Sequence, residues 1–538
     1  MGSASSTTWR SPPSAPRSHR RISTSSSLSC QQPVAMARTV YNVTELNCKR
    51  RPGPQARVGC SRVLGAALCL WGVAAVCYGA PGQSALPQLT AWLRPLLVTA
   101  QTGAAVVEVA TGRTLFSRNA DTALAPASTA KLYVAAAALA LLGGDFRYET
   151  PVVTDDAYLG DGVLNGDLCV SGRGDPSWTE ATLGQVVQRL AQLGVKRLTG
   201  SVVCDDSLFG PARTGADWGP ANLRWHYAME ASAVCLNGNA VEVTVAPGSS
   251  LGSPPRVTVA PASGVLAISN TAKTVSPAER STLSLDRQQG SRTLLVSGSL
   301  PRNASPVVQG MSVPQPALQA AYCLTHQLRK AGIAVAGEPH LGHTPSQTTL
   351  VLLVRSAPLR ELVTSMAKHS DNHLAEQLLR TLGYRCQTEG TAAAGIRAIE
   401  RFLSDHGIDF AACRLVDGCG LSRRDQVTAR ALTALLAGVW KLPCGRAFWE
   451  ALPVAGTDGT LRGRMKDSPA AGAIHAKTGT LRGVCGLAGY AFPNGDNPLA
   501  FAFLANGYPG GAGRIRALQD GFCASLVADS TDLSPPSP

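Results

Sequence analysis

Hydrophobic and polar positions change rhythm several times along the 538-residue chain, and each change predicts a different kind of structure. The stretch 86–98 (LPQLTAWLRPLLV) has the spacing of a short amphipathic helix. AAVVEVA at 104–110, then Thr111-Gly112 and RTLFSR, predicts a β-hairpin. From Pro126-Ala127-Ser128 onward, TAKLYVAAAALALLGG is apolar nearly all round, which predicts a buried helix stopped by Gly143-Gly144. Between about 150 and 335, strand-like runs (VVCDD, VEVTVAP, RVTVAP, VLAIS, TLLVSGS) alternate with Gly, Pro, Ser and Asn clusters, so a β-rich inserted region is expected. Helical periodicity returns at 315–331, 358–384 and 390–406. Near the end, CGLAGYAF (485–492) and LAFAFLAN (499–506) predict two strands joined by the turn Pro493-Asn494-Gly495-Asp496, followed by the helix GRIRALQDGFCASLVA. Hairpins at both ends with helices between them predict an α/β (α+β) fold. One antiparallel sheet would take strands from both termini and be flanked by helices. No internal repeat is visible.

Composition changes this picture mainly at the N-terminus. The formal net charge is +14, but residues 1–62 hold ten Lys/Arg against the single acid Glu45, leaving 39 bases and 34 acids elsewhere. Most of the excess is therefore a property of a leader, and a nucleic-acid-binding face on the folded body is not indicated. The leader is Ser/Arg-rich and acid-poor, as expected of disordered chain, of a transit peptide or of an over-extended start. An uncharged run, Val63 to Ala80, follows and ends in small residues before Pro81-Gly82. It predicts a secretory signal or a signal-anchor, hence export to the periplasm or cell envelope. Five of the fifteen cysteines fall in residues 1–80; the other ten are scattered with no C-x-x-C pair, so export would permit disulfides without revealing their connectivity.

Three short strings carry the candidate chemistry: Ser128-Thr129-Ala130-Lys131, Ser370-Asp371-Asn372 and Lys477-Thr478-Gly479. In this order they form the S-x-x-K, S-x-N and K-T-G set of penicillin-recognising serine acyl-transferases. Ser128 and Lys131 lie about one turn apart at a helix start, where a serine needs an adjacent base. An unperturbed lysine, with a pKa of roughly 10.4, must be made neutral to serve. Burial and a second cation, for which Lys477 is the natural candidate, would both push it that way. A helix N-terminus also offers backbone N–H groups to a developing oxyanion. Ser370 alone reads as well as an N-cap. In combination it can pass a proton to the leaving group while Asn372 binds a substrate amide. His475 to Thr480 reads as an edge strand, where Lys477 and the threonine hydroxyls can hold a carboxylate and Gly479 allows close backbone approach.

Beyond the motifs, APASTAKL, GGDFRYET, NGDLCVSGRGDPS, GSVVCDDSLFG, HSDNHLAEQLL, VDGCGLS, AGTDGTL and HAKTGTL make residues 85–527 resemble the low-molecular-mass class C penicillin-binding proteins. These are the D-alanyl-D-alanine carboxypeptidases/endopeptidases of peptidoglycan metabolism. The resemblance implies a β-lactamase/transpeptidase-like domain in two parts, 85–150 and 336–527, separated by β-rich inserted domains at 151–335. A leader (1–62), a signal segment (63–80) and a tail (528–538) would flank it. It implies that Ser128 is the acylated nucleophile, Lys131 its base, Ser370 and Asn372 aids to proton transfer and binding, and Lys477, Thr478, Gly479 and Thr480 the carboxylate side of the site. The amides of Ser128 and Thr480 would form the oxyanion hole. Expected partners are peptides ending in D-Ala-D-Ala, β-lactams as covalent inhibitors, and a membrane surface through peripheral or signal-anchor association. No cofactor, metal or nucleic acid is implied. The insertion would shape substrate access without supplying a catalytic group. Two departures stand out: Cys419 replaces a common serine in VDGCGLS, and the long N-terminus is foreign to the family.

Competing patterns are weaker. His369, His373 and Glu376 share a helical face but lack the glutamate next to the first histidine that a zincin needs. Gly248-Ser249-Ser250-Leu251-Gly252 matches G-x-S-x-G, but the following Ser253-Pro254-Pro255 predicts a loop where a nucleophile elbow needs a helix. The alternatives within reach are a β-lactamase or esterase, which as a class A enzyme lacks its E-x-x-L-N glutamate here, and a non-catalytic wall-binding relative. The intact nucleophile and both lysines argue against the latter.

Overall fold

The computed structural model describes residues 89, 90, 92, 94, 100–155, 159–262, 264–288, 290–493 and 497–528. The basic leader, the apolar run 63–80, most of 86–98, the tip of the 493–496 turn and nearly all of the tail lie outside these residues. Strands β1 (Gln101–Glu108) and β2 (Thr114–Arg118) form the predicted hairpin, and a 3-10 turn at Ala127–Ala130 leads into helix α1 (Lys131–Leu142). The insertion begins with β3 (Glu149–Asp155) and β4 (Leu168–Ser171), then α2 (Glu180–Gln192), β5 (Val202–Asp205) and α3 (Pro316–Lys330), and returns through β6 (Thr348–Arg355). Helices α4 (Leu359–His369), α5 (Asn372–Gln387), α6 (Ala392–Asp405), α7 (Ala429–Trp440) and α8 (Gly445–Glu450) follow. Strands β7 (Ile474–Leu481), β8 (Val484–Ala491) and β9 (Leu499–Asn506) and helix α9 (Gly513–Val527) close the described chain.

The central sheet has the order β2-β1-β9-β8-β7, all antiparallel, so strands from both ends of the chain meet where β1 pairs β9. β8 is buried along its whole length and β9 along nearly all of it, which explains their continuous apolar sequence: both faces are covered. Alternation sends Ala500, Ala502 and Leu504 into a layer with α1 and α4–α7, and Phe501 and Phe503 into a layer closed by Phe522 of α9. Helix α1 is buried from Lys131 to Leu139, and its alanines leave room for the helices packed round it. β7 lies at the sheet edge, as its sequence predicts.

The insertion is less purely β than its sequence suggests. Helix α2 was not anticipated, although Leu183, Val186, Val187 and Leu190 have the i, i+3, i+4, i+7 spacing of a buried stripe. It packs with α3 on a five-stranded sheet that includes β5, β4, β3 and β6. β6 pairs antiparallel with β3, so the body extends past residue 335. A change in composition marks texture; it does not reveal which later strand returns to the sheet. The remaining strands of the insertion, including Ala240–Ala246, Arg256–Ala260 and Val307–Ser312, build small separate sheets. The 358–384 periodicity proves to be two helices broken at Ser370 (φ +59). All ten described cysteines are free thiols. No helix among the described residues is long and apolar enough to cross a membrane.

Helices α5 and α6 meet at Gly395, where an added Cβ would stand 2.0 Å from the Leu379 carbonyl oxygen. A glycine-to-alanine change inside a helix ordinarily gains about 1 kcal/mol, but overpacking a backbone contact costs about 1–3 kcal/mol or more. A carbonyl cannot rotate away, so the clash should win. Gly395→Ala should lower the urea midpoint with an unchanged slope, a net loss of about 1–2 kcal/mol; an unchanged midpoint would show that α6 shifts freely.

Candidate active site

The site is built on the turn into α1. Buried Ala127 adopts φ +47, a backbone state uncommon outside glycine and concentrated at functional sites. The following 3-10 turn brings side chains three apart onto one line. Lys131 Nζ accordingly donates to Ser128 Oγ at 2.9 Å. It also donates to Asn372 Oδ1 at 2.7 Å and to the Cys419 carbonyl at 2.6 Å. All three ammonium protons thus have acceptors. After losing one, the amine can keep Asn372 and Cys419 with its remaining N–H groups and turn a lone pair to Ser128. Lys131 is 1 % exposed, and burial pushes its pKa below the ordinary 10.5, while Cys419, Asp417, Asp371 and Glu376 pull it back up.

The second amine lies on β7. Lys477 is fully buried and donates to Ser370 Oγ at 2.8 Å and to the Thr478 carbonyl at 2.8 Å. Burial first, and then repulsion by Lys131, hold it well below the ordinary lysine value. This revises the sequence expectation: burial is the main force on Lys131, and the like-charge repulsion is felt chiefly at Lys477.

Ser370 meets Lys477 at the point where the chain breaks. It ends α4 in a left-handed conformation, and Asp371 is the N-cap of α5, accepting from Leu374 N–H at 3.1 Å. The N-cap alternative for Ser370 therefore falls to its neighbour. Asn372 joins two parts of the molecule, accepting from Lys131 and donating through Nδ2 to the Tyr227 carbonyl of the insertion at 2.8 Å.

The close approach at Gly479 is made by the protein's own backbone, where the sequence suggested approach by a ligand. A Cβ there would lie 2.6 Å from the Pro126 carbonyl and 3.0 Å from Ser128 N, so only glycine lets β7 run this close to the Ser128 turn. Thr478 donates its hydroxyl to Thr460 Oγ1 at 2.8 Å, while exposed Thr480 accepts from Arg516 Nη2 at 3.4 Å. The cleft over Ser128 encloses about 410 Å³ and is lined by Asn372, Thr480, Tyr227, Asn222, Arg423 and Arg482 among others. A larger cavity of about 490 Å³, between α2 and α3, is lined by Cys323 and His326, but the Cys323 thiol donates to the Ala262 carbonyl at 3.5 Å and burial pushes its pKa up to about 12, so chemistry and not size identifies the site.

Three elements of the site escaped sequence reasoning: the Cys419 carbonyl, the insertion residues Asn222 and Tyr227, and the arginines of the rim. A backbone acceptor carries no side-chain signature, although VDGCGLS was visible as a string. The zinc alternative dissolves. His369 is exposed and its Nδ1 lies 3.1 Å from the Ser365 carbonyl, while Glu376 is paired with Arg380. Glu376, Asp417 and Cys419 do stand within 4.8 Å of one another. Their four carboxylate oxygens already accept hydrogen bonds from Gly418, Cys419, Arg380, Gly420, Ser422 and Trp218, so ligating a metal would break that network.

Residues 86–524 match the D-Ala-D-Ala carboxypeptidase 3 (S13) family. The chain is 36% identical over 447 residues to the D-alanyl-D-alanine carboxypeptidase of Actinomadura sp. (strain R39), covering 80% of this chain and 82% of the relative. It is 29% identical over 397 residues to the D-alanyl-D-alanine carboxypeptidase DacB of Haemophilus influenzae, covering 73% and 82%. The crystal structure of penicillin-binding protein 4 (dacB) from Haemophilus influenzae superposes with a TM-score of 0.74 at 26% identity, covering 82% of this chain and 99% of that one. A second structure of that protein, complexed with a β-lactam, gives 0.71 at 25% identity, with the same coverage.

A base with a lowered pKa is neutral, and so active, at lower pH. The rate of Ser128 acylation should rise with pH along a limb that ends below 10.5, the ordinary lysine value. A pH profile of kcat/KM with its midpoint at or above that value would show that Lys131 is not held down.

Proposed function

The chain belongs to the D-Ala-D-Ala carboxypeptidase 3 (S13) family and is a serine-type D-Ala-D-Ala carboxypeptidase, and we propose that it trims peptidoglycan stem peptides through an acyl-enzyme on Ser128. One observation carries the assignment of the residues. A buried amine, Lys131, is bonded to Ser128 Oγ at 2.9 Å, and a second buried amine, Lys477, is bonded to Ser370 Oγ at 2.8 Å.

In this reading neutral Lys131 takes the Ser128 proton as Oγ attacks the carbonyl carbon of the penultimate D-Ala. The oxyanion forms beside the first-turn amides of the α1 entrance and the backbone of β7. Ser370 hands a proton to the departing amine as the C–N bond breaks and takes one in turn from the Lys477 ammonium bonded to it, and D-alanine leaves. Water then attacks the ester with the proton flow reversed, restoring Ser128 and releasing the shortened peptide. Lys477 and Thr480 hold the terminal carboxylate, with Arg516 behind Thr480 and Thr478 braced on Thr460. Asn372 orients the substrate amide while bonded to Lys131.

A β-lactam would enter the same path and stop at the ester, an expectation supported by the Haemophilus penicillin-binding protein 4 structure that contains one. Export to the periplasm or cell envelope, with peripheral or signal-anchor attachment to the membrane, is the matching proposal for location. It is supported by the basic segment 1–62 and the uncharged run 63–80.

Tryptic mapping after penicillin treatment should find the adduct on the peptide Asn119–Lys131; an adduct on the peptide carrying Ser250 would sink the assignment. Thr480→Ala should lower kcat/KM by about tenfold on a free-acid substrate and leave an amidated substrate little changed, because the amide already lacks the contact. Equal losses on both would show that Thr480 does not read the carboxylate.

A further inference from the structure

Glu376 lies one turn into α5 with its side chain 2 % exposed, and the reaction as described does not use it. Its Oε1 accepts the N–H groups of Gly418 at 2.7 Å and Cys419 at 3.1 Å, and its Oε2 accepts from Arg380 at 2.8 Å. Those two amides belong to the loop whose next acceptor, the Cys419 carbonyl, takes the shortest hydrogen bond from Lys131. On its far side the loop is held by Asp417, which accepts Gly420 N–H at 2.6 Å and Ser422 N–H at 2.7 Å. Gly420, at φ +78, lies so close to the nucleophile's turn that a Cβ would stand 1.9 Å from the Ala127 carbonyl oxygen. The loop therefore has no slack: tilting the Cys419 peptide moves the Lys131 acceptor and presses on the Ser128 turn together. Arg380 neutralises the buried carboxylate and reaches the Ala212 carbonyl of the insertion at 3.3 Å.

We infer that Glu376 is a positioning residue for acylation: its carboxylate fixes the Gly418 and Cys419 amides, and with them the place of the residue whose carbonyl steers the Lys131 amine onto Ser128. The inference rests on Lys131 being the base. A purely structural ion pair would need only Arg380. Spending a second oxygen on two consecutive amides beside the base fixes the peptide planes on both sides of Gly418, and so the Cα of Cys419, while Asp417 holds through the Gly420 N–H the next plane, which carries the carbonyl Lys131 uses.

Charge gives a second, separable consequence. The groups facing Lys131 are Lys477 from β7, Asp371 and Glu376 from α5, and Asp417 and Cys419 from the loop. Of these Glu376 is among those favouring the protonated amine. Removing its charge should make Lys131 a base at lower pH.

The test compares Glu376→Gln, which keeps an oxygen for the two amides but loses the charge, with Glu376→Ala, which loses both. Acylation of full-length protein by a chromogenic β-lactam, and kcat and KM on a D-Ala-D-Ala peptide, would be followed across pH. Glu376→Ala should slow acylation by about a hundredfold with KM within about twofold. Glu376→Gln should recover to within about tenfold of the parent, with its acid limb displaced to lower pH. A folded Glu376→Ala protein that acylates at the parent rate would overturn the inference. If the Ala variant does not fold, Glu376→Asp, which keeps the charge but draws the carboxylate back from the two amides, decides: acylation at the parent rate would overturn the inference. An adduct away from Ser128 in the parent protein would instead remove the underlying reading of the site.

Discussion

The Lys131 amine is the point on which the rest of the structure converges. It is almost fully buried, and a buried ammonium is tolerable only when each of its protons finds an acceptor. The three it finds come from three different parts of the chain: its own turn, the start of α5 and the loop at 417–420. Burial keeps the amine easy to deprotonate, and the hydrogen bonds keep it aimed. Neither would suffice alone. An exposed lysine at the same distance would stay protonated, and a buried one without partners would cost several kcal/mol and find another arrangement.

Much of the fold can be understood as a way of holding that amine still. The central sheet brings β7 beside the α1 entrance, and Gly479 removes the atom that would keep them apart. Helix α1 is surrounded, so Lys131 has no route to solvent along its own axis. The insertion contributes through an irregular segment. Trp218 donates to Asp417, the Tyr227 carbonyl receives Asn372, and Ser422 donates to Asp217. Residues far from the motifs in sequence thus restrain the same loop and the same asparagine, while Ser128 and both amines come from the sheet-and-helix body. The second amine is subject to the same logic with one addition: Lys477 feels the first amine's charge, so the two cannot comfortably be protonated together.

What the sequence determined by itself was local and chemical. Strand and helix periodicity foretold the hairpin at β1 and β2, the buried α1, the edge strand β7 and the pair β8 and β9. Short apolar runs bounded by turns fit strands covered on both faces, alternating runs fit strands with one wet face, and the longer run that is apolar all round fits the buried helix α1. The S-x-x-K spacing alone foretold that Ser128 and Lys131 would touch, because three residues is one helical turn. Helix α2 was legible too, in Leu183, Val186, Val187 and Leu190, but a Gln-rich surface obscured it.

Tertiary structure decided everything that depends on residues distant in sequence. That Ser370 ends one helix and leaves the N-cap of the next to Asp371 follows from the chain turning back at that point, a geometry no periodicity encodes. The acceptor at Cys419 is a backbone carbonyl, identical in covalent terms to every other, and only the fold aims it. The balance between burial and charge at the two lysines likewise needed coordinates, because desolvation depends on what surrounds a group from all sides and repulsion on a distance that crosses much of the chain. Sequence names the groups that react; the protonation state and aim of those groups come from neighbours that only folding supplies.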